Sequence, residues 1–119
     1  MAEGTLQTAR AVREAALAAD GVFELGKGLF VEAATYDGGE KVSGVVVDDD
    51  SVEVHLVLDY PLVKPIPEIG KDLKRTLGSK SGGRTMNLIF EDVVDEEEKA
   101  ARRAEAARQA NDVQTNGTD

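Results

Sequence analysis

His55 is the only histidine of the chain and lies in the run SVEVHLVLDY, between Glu53 and Asp59. In an extended strand, residues two apart share a face at roughly 6.5–7 Å. Glu53, His55, Val57 and Asp59 therefore form one side of this segment, and an imidazole beside a carboxylate is the smallest unit that moves a proton. No activated nucleophile accompanies it. Ser43 and Ser51 flank the preceding turn, but neither sits in a nucleophile-elbow sequence. One histidine without cysteine makes a poor zinc site, and the default reading of His55 is an ordinary surface histidine. The Asp48-Asp49-Asp50 run lacks the spaced acids, internal glycine and closing glutamate of a calcium loop, so it reads as a solvated turn. Gly26-Lys27-Gly28 and Gly82-Gly83-Arg84 lack the spacing of a phosphate-binding fingerprint. No cofactor or metal is expected.

The chain has 119 residues, enough for one domain with its own core. Without cysteine, a long apolar run or a leader-like N-terminus, the expected setting is a reducing cytoplasm with no membrane span. The 14 basic and 23 acidic residues give a net charge of −9, which repels phosphate backbones. The absence of tryptophan also leaves little for base stacking, so nucleic acid is a disfavoured partner. Basic residues do cluster locally, at Lys71, Lys74, Arg75, Lys80 and Arg84, against Asp72 alone.

The elements that position these residues follow from periodicity. Leu6, Ala9, Val12, Ala16 and Leu17 predict a helix over Thr5 to Ala19, stopped by Asp20-Gly21. Arg13 falls at the edge of that face, its stem over the core and its head in water. Residues 29–36 read as a short strand or an extended loop. KVSGVVV and VEVHLVLDY are strand patterns joined by the aspartate turn, a hairpin. The prolines of PLVKPIP exclude a central strand and lead into a helix, with Ile66, Ile69, Leu73 and Leu77 on one face and Gly78 at the end. Met86, Leu88 and Phe90 then alternate with Asn87, Ile89 and Glu91 in a further strand. The strand–helix–strand order makes that pairing parallel and the hairpin antiparallel, giving a mixed sheet.

The predicted fold is thus a two-layer α+β domain over residues 5–94, of order α-β-β-α-β. Its sheet has three to four strands, with two helices on one face. Residues 95–119 form a charged appendage, either helical or disordered. Asp95 with Glu98 resembles a capping box there, and acids precede bases along the run. Its apolar residues are almost all alanine, so it needs something to pack on, and the last residues read as an untethered tail. On the helix-free face Val57 and Ile89 stand among polar groups, which marks them as a docking surface. Lys71, Lys74 and Arg75 point outward from the second helix, a second contact surface. Their charge complements the acids from Asp95 to Glu98, within or between molecules.

SVEVHLVLDY, IPEIGKDLKRTL and MNLIFEDV together resemble the alkaline-shock, or envelope stress response, family of bacterial proteins. Asp59-Tyr60 at the strand end, Ile66-Pro67-Glu68 at the helix start and Met86 to Val93 match that family's pattern, and Asp20-Gly21-Val22 matches its glycine–valine step. The likeness covers roughly Thr8 to Val94. The connection PLVKP departs from the family's shorter turn. The resemblance implies a non-enzymatic, cytoplasmic protein that forms homo-oligomers. It also implies recruitment to the inner face of the membrane by a small membrane-anchoring protein. The alternative class is a small-molecule binding or catalytic α+β domain using His55 and its neighbouring carboxylates.

Overall fold

In this computed structural model residues 4–118 are described, the side chains of 110–118 excepted. The element order is α1 (Thr5–Leu17), β1 (Val22–Leu25), β2 (Ala34–Asp37), β3 (Glu40–Ser43), β4 (Val45–Val47), β5 (Ser51–Asp59), α2 (Ile66–Gly78), β6 (Thr85–Val94) and α3 (Glu96–Thr118). The fold is α+β, and its main sheet is four-stranded and mixed. The expected order is embedded in this longer one, extended by β1 and β2 in the stretch after α1 and by α3. The expected single strand KVSGVVV is broken at Gly44, φ +89°, into β3, which pairs with β2, and β4, which alone of the two pairs with β5.

β5 is the centre of the sheet. One edge pairs in parallel with β6, from Ser51↔Thr85 to Asp59↔Val94. The other edge is shared by two short antiparallel strands. β4 pairs with its first half, through Val45↔Val54 and Val47↔Val52, and β1 with its second, through Val22↔Leu58 and Leu25↔Leu56. The two halves meet opposite His55, whose N–H donates to Gly44 O and whose carbonyl accepts from Gly26 N. In effect one antiparallel strand is interrupted by residues 27–43. The insertion carries a loop closed by Ala33 N donating to Lys27 O, then the β2–β3 hairpin. Thr35 ties that hairpin back to β4. Its buried hydroxyl donates to Val45 O at 2.7 Å and accepts from Val47 N at 3.0 Å.

The core lies between α1, α2 and one face of the sheet. Leu6, Ala9, Val12 and Ala16 of α1, Ile69, Leu73 and Leu77 of α2, and Val52, Val54, Leu56 and Leu58 of β5 belong to a single apolar cluster. The period-2 pattern of valine and leucine in β5 explains this division, because alternate side chains leave opposite faces. The period of α2 likewise leaves Lys71, Lys74 and Arg75 exposed. α1 stops sooner than Ala19, and Leu17 is 41% exposed. It follows Ala16 by one residue, about 100° around a helix of 3.6 residues per turn, and so falls off the buried face. Arg13 lies at the edge of the buried face, but its head is not left in water: the half-buried guanidinium donates to Ser43 O at 2.7 Å.

The reverse face of the sheet is not open. Val57 is 2% exposed and Val94 2%, because α3 and the 26–33 loop cover that side. The expectation of a helix-free docking surface around Val57 is corrected by this cover, and only Ile89 of the pair remains partly accessible. The appendage is helical, and Asp95 Oδ1 accepts from Glu98 N at 2.9 Å, one half of the capping box. The reading of the last residues as an untethered tail concerns side chains outside those described.

Candidate functional site

His55 is buried, 7% exposed, which corrects its reading as a surface histidine. Its Nε2 lies 2.7 Å from Glu53 Oε1 and its Nδ1 2.7 Å from Glu91 Oε2. Glu53 arrives by strand alternation, two residues away. Glu91 arrives by a different device. Along β6 the partners run His55↔Ile89 and Leu56↔Phe90, then Val57↔Asp92, so Glu91 is an extra residue in the ladder, a β-bulge. A bulge re-aims side chains and shifts the inside–outside phase of the residues beyond it. Past Glu91, Val93 packs on the core, and Asp92 pairs with Val57 on the other face. β1 carries the complementary irregularity, with Phe23 extra between Val22 and Glu24.

Two glycines make room for this arrangement. A Cβ on Gly26 would lie 2.2 Å from Glu91 Oε1, so only glycine admits the carboxylate there. Gly28, at φ +99°, presents its N–H to Glu91 Oε2 at 2.9 Å. A carboxylate therefore joins the central strand to the base of the inserted loop. Carboxylates only accept hydrogen bonds, so both ring contacts become donor–acceptor pairs when each nitrogen of His55 carries a proton. The cluster ties the central strand to the base of the loop.

Beside it runs a groove of about 650 Å³ between the loop and α3, lined among others by Arg13, Lys27, Leu29, Glu91 and Arg102. Its far wall is held electrostatically. Lys99 Nζ lies 2.7 Å from Glu96 and 3.1 Å from Asp59, and Arg102 reaches Glu24 at 2.7 Å and Asp92 at 2.9 Å. Arg103 lies over the Phe23 ring, 5.5 Å from its centroid. Acids from β1, β5 and β6 thus converge on the first turns of α3. The partners of Lys99 hold its ammonium above the usual lysine range, Glu96 contributing most and Asp59 next.

The surfaces inferred from sequence are only partly brought together. The acids that open α3 do not meet Lys71, Lys74 or Arg75 within the chain. Asp95 caps its own helix and Glu96 binds Lys99, while Arg75 pairs with Asp72 at 3.3 Å. Intramolecular docking has the reverse polarity, with bases of α3 on acids of the sheet. Arg84, grouped by sequence with the basic patch, instead donates to Asp48 O at 2.7 Å and Thr8 Oγ1 at 3.2 Å, fastening α1 to the β4–β5 turn. In that turn Asp48 Oδ1 accepts from Asp50 N and Ser51 N, which hold its carboxyl below the usual range. Among the described residues no group of three or more His, Cys, Asp and Glu side chains is placed to hold a metal ion.

Sequence reasoning missed the Leu29-Phe30-Val31 tip of the inserted loop, where exposure reaches 62%, 100% and 81%. Its only trace in the sequence is an apolar triplet just after two nearby glycines, a run that is equally consistent with a short buried strand. Compared with protein-family models, curated proteins and solved structures, the chain matches none of them. Among the described residues no helix is long and apolar enough to cross a membrane.

Proposed function

We propose that this protein is a non-catalytic interaction protein of the envelope stress response type, which self-associates and is recruited to the membrane by a small anchoring partner. The observation that carries this reading is the Leu29-Phe30-Val31 tip. Large apolar side chains standing in water, on a loop fixed at its base by Gly28 and Ala33, suit contact with another macromolecule. The family resemblance in Asp59-Tyr60, Ile66-Pro67-Glu68 and the MNLIFEDV strand supports the same class. Lys71, Lys74 and Arg75, exposed on α2, offer a second surface, for an acidic segment of the anchor. The protein works at the cytoplasmic side of the cell membrane, held there through its partner.

The test is fractionation of cells expressing the tagged protein, followed by sedimentation of the purified chain. The reading expects association above the monomer, and a membrane-bound fraction released together with one small membrane protein. A strictly monomeric chain confined to the soluble fraction overturns it.

The groove beside Glu91 favours a second reading, in which a small polar molecule binds between Arg13, Lys27 and Arg102. Shifts of the His55 ring resonances on addition of candidate metabolites support that reading, and their absence across a broad panel counts against it.

A further inference from the structure

We propose that the Leu29-Phe30-Val31 tip of one molecule inserts into the apolar groove between α1 and α2 of a second copy, which makes self-association head-to-tail. The proposal rests on the self-association proposed for this chain and assigns its two surfaces. The groove has a volume of about 420 Å³, and Ala15, Ala18, Ala19, Val63, Ile69 and Leu73 form its apolar lining. That size falls in the range of pockets that enclose small ligands or side chains. Small alanines at the end of α1 leave the depression, and Val63, 55% exposed, forms an unprotected wall.

A second copy is the occupant that the charges favour. Lys27 stands at the base of the tip and Asp20 on the rim of the groove; both are exposed, and among the described residues neither has a side-chain partner. Insertion brings these opposite charges to the same border. Docking within one molecule is blocked by geometry. The tip is tethered through Gly28 to Glu91 on the α3 side of the sheet, whereas the groove opens on the α1–α2 side. A tip and a groove on opposite sides make a heterologous contact, which propagates into open chains of copies unless a rotation closes the ring. Phe30, fully exposed and aromatic, is the anchor, the residue type on which interface energy concentrates.

Complementation between two defective variants tests this directly. Phe30→Asp removes the anchor and keeps the groove, while Ala18→Arg fills the groove mouth and keeps the tip. Thr76→Arg, at an exposed groove position on α2, serves as a second blocking variant should Ala18→Arg perturb the fold by circular dichroism. By sedimentation velocity the parent is expected to show a concentration-dependent series of species. Each variant alone should associate at least ~10-fold more weakly. An equimolar mixture of the two should form a heterodimer and nothing larger, since one intact tip and one intact groove remain. Phe30→Leu should retain association. A parent that is monomeric at all concentrations overturns both this proposal and the self-association on which it rests. A parent that associates while Phe30→Asp associates equally well, or a mixture that stays monomeric, overturns the tip-in-groove contact alone. Binding of the parent to neutral or anionic vesicles through Phe30, without self-association, overturns it in favour of a lipid surface.

Discussion

Alternate residues of β5 meet two different environments. Val52, Val54, Leu56 and Leu58 are each 0% exposed and belong to one apolar cluster with side chains of α1, α2 and the neighbouring strands. On the other face His55 is bound to Glu53 and Glu91 and Asp59 to Lys99 by polar contacts, with Val57 sealed among them. Apolar burial is non-directional and is not weakened by ionic screening, whereas ion pairs depend on geometry and are screened. One strand thus carries a face held by area and a face held by charge. The second is the face from which the inserted loop and its exposed tip are suspended.

The comparison can be broken most forcefully from its apolar side. Leu56→Ala should lower global stability by about 2–5 kcal/mol, the range for truncating a fully buried leucine, as read from the midpoint of denaturant unfolding. On the polar side Glu91→Ala should cost less, about 1–3 kcal/mol, by leaving the Gly28 N–H and one His55 nitrogen without an acceptor. It should also speed amide exchange at Gly28 more than at Leu56. Equal acceleration at both sites would mean that the loop base and the core open as one unit. A third comparison uses salt. Raising ionic strength from about 0.05 M to about 1 M shortens the screening length from more than ~10 Å to ~3 Å. Exchange of the first turns of α3 should quicken while the amides of β5 stay protected. If protection across α3 does not change with salt, charge is not what holds it.

The apolar face was the legible one. The spacing of Ile66, Ile69, Leu73 and Leu77 with Gly78 marked α2 to its last residue, and the alternation in β5 and β6 placed the core side of both. These signals are local, because period and burial are properties of one segment. α1 was overrun at its end because alanine continues past Leu17 and carries no stop of its own. The polar face was not legible, since its parts come from far apart: Glu24, Asp59 and Asp92 lie on three strands and meet Lys99 and Arg102 only after folding. One signal did exist within a single element. Strict alternation from Met86 through Phe90 would place Asp92 in the core and Val93 outside, a cost that an extra residue at Glu91 removes. The exposed tip could not be recognised from its pattern alone, because an apolar triplet reads equally well as a buried strand.

The smallest effect separates the faces by pH. Lys99 is held above its usual range by Glu96 and Asp59, so its folded pKa exceeds the unfolded value of ~10.4. By linkage, the stabilisation from its ammonium is complete below that unfolded value and fades as pH rises through the higher folded one. Docking of α3 should therefore loosen in this alkaline window, seen as loss of the ring-current shifts that Phe23 imposes on Arg103, while the signals of Leu56 and Leu58 stay unchanged. Lys99→Arg separates the charge from other alkaline effects, because a guanidinium stays protonated throughout that window. If the arginine variant releases α3 at the same pH as the parent, deprotonation of Lys99 is not the cause, and the alkaline loosening belongs to another group on the charged face.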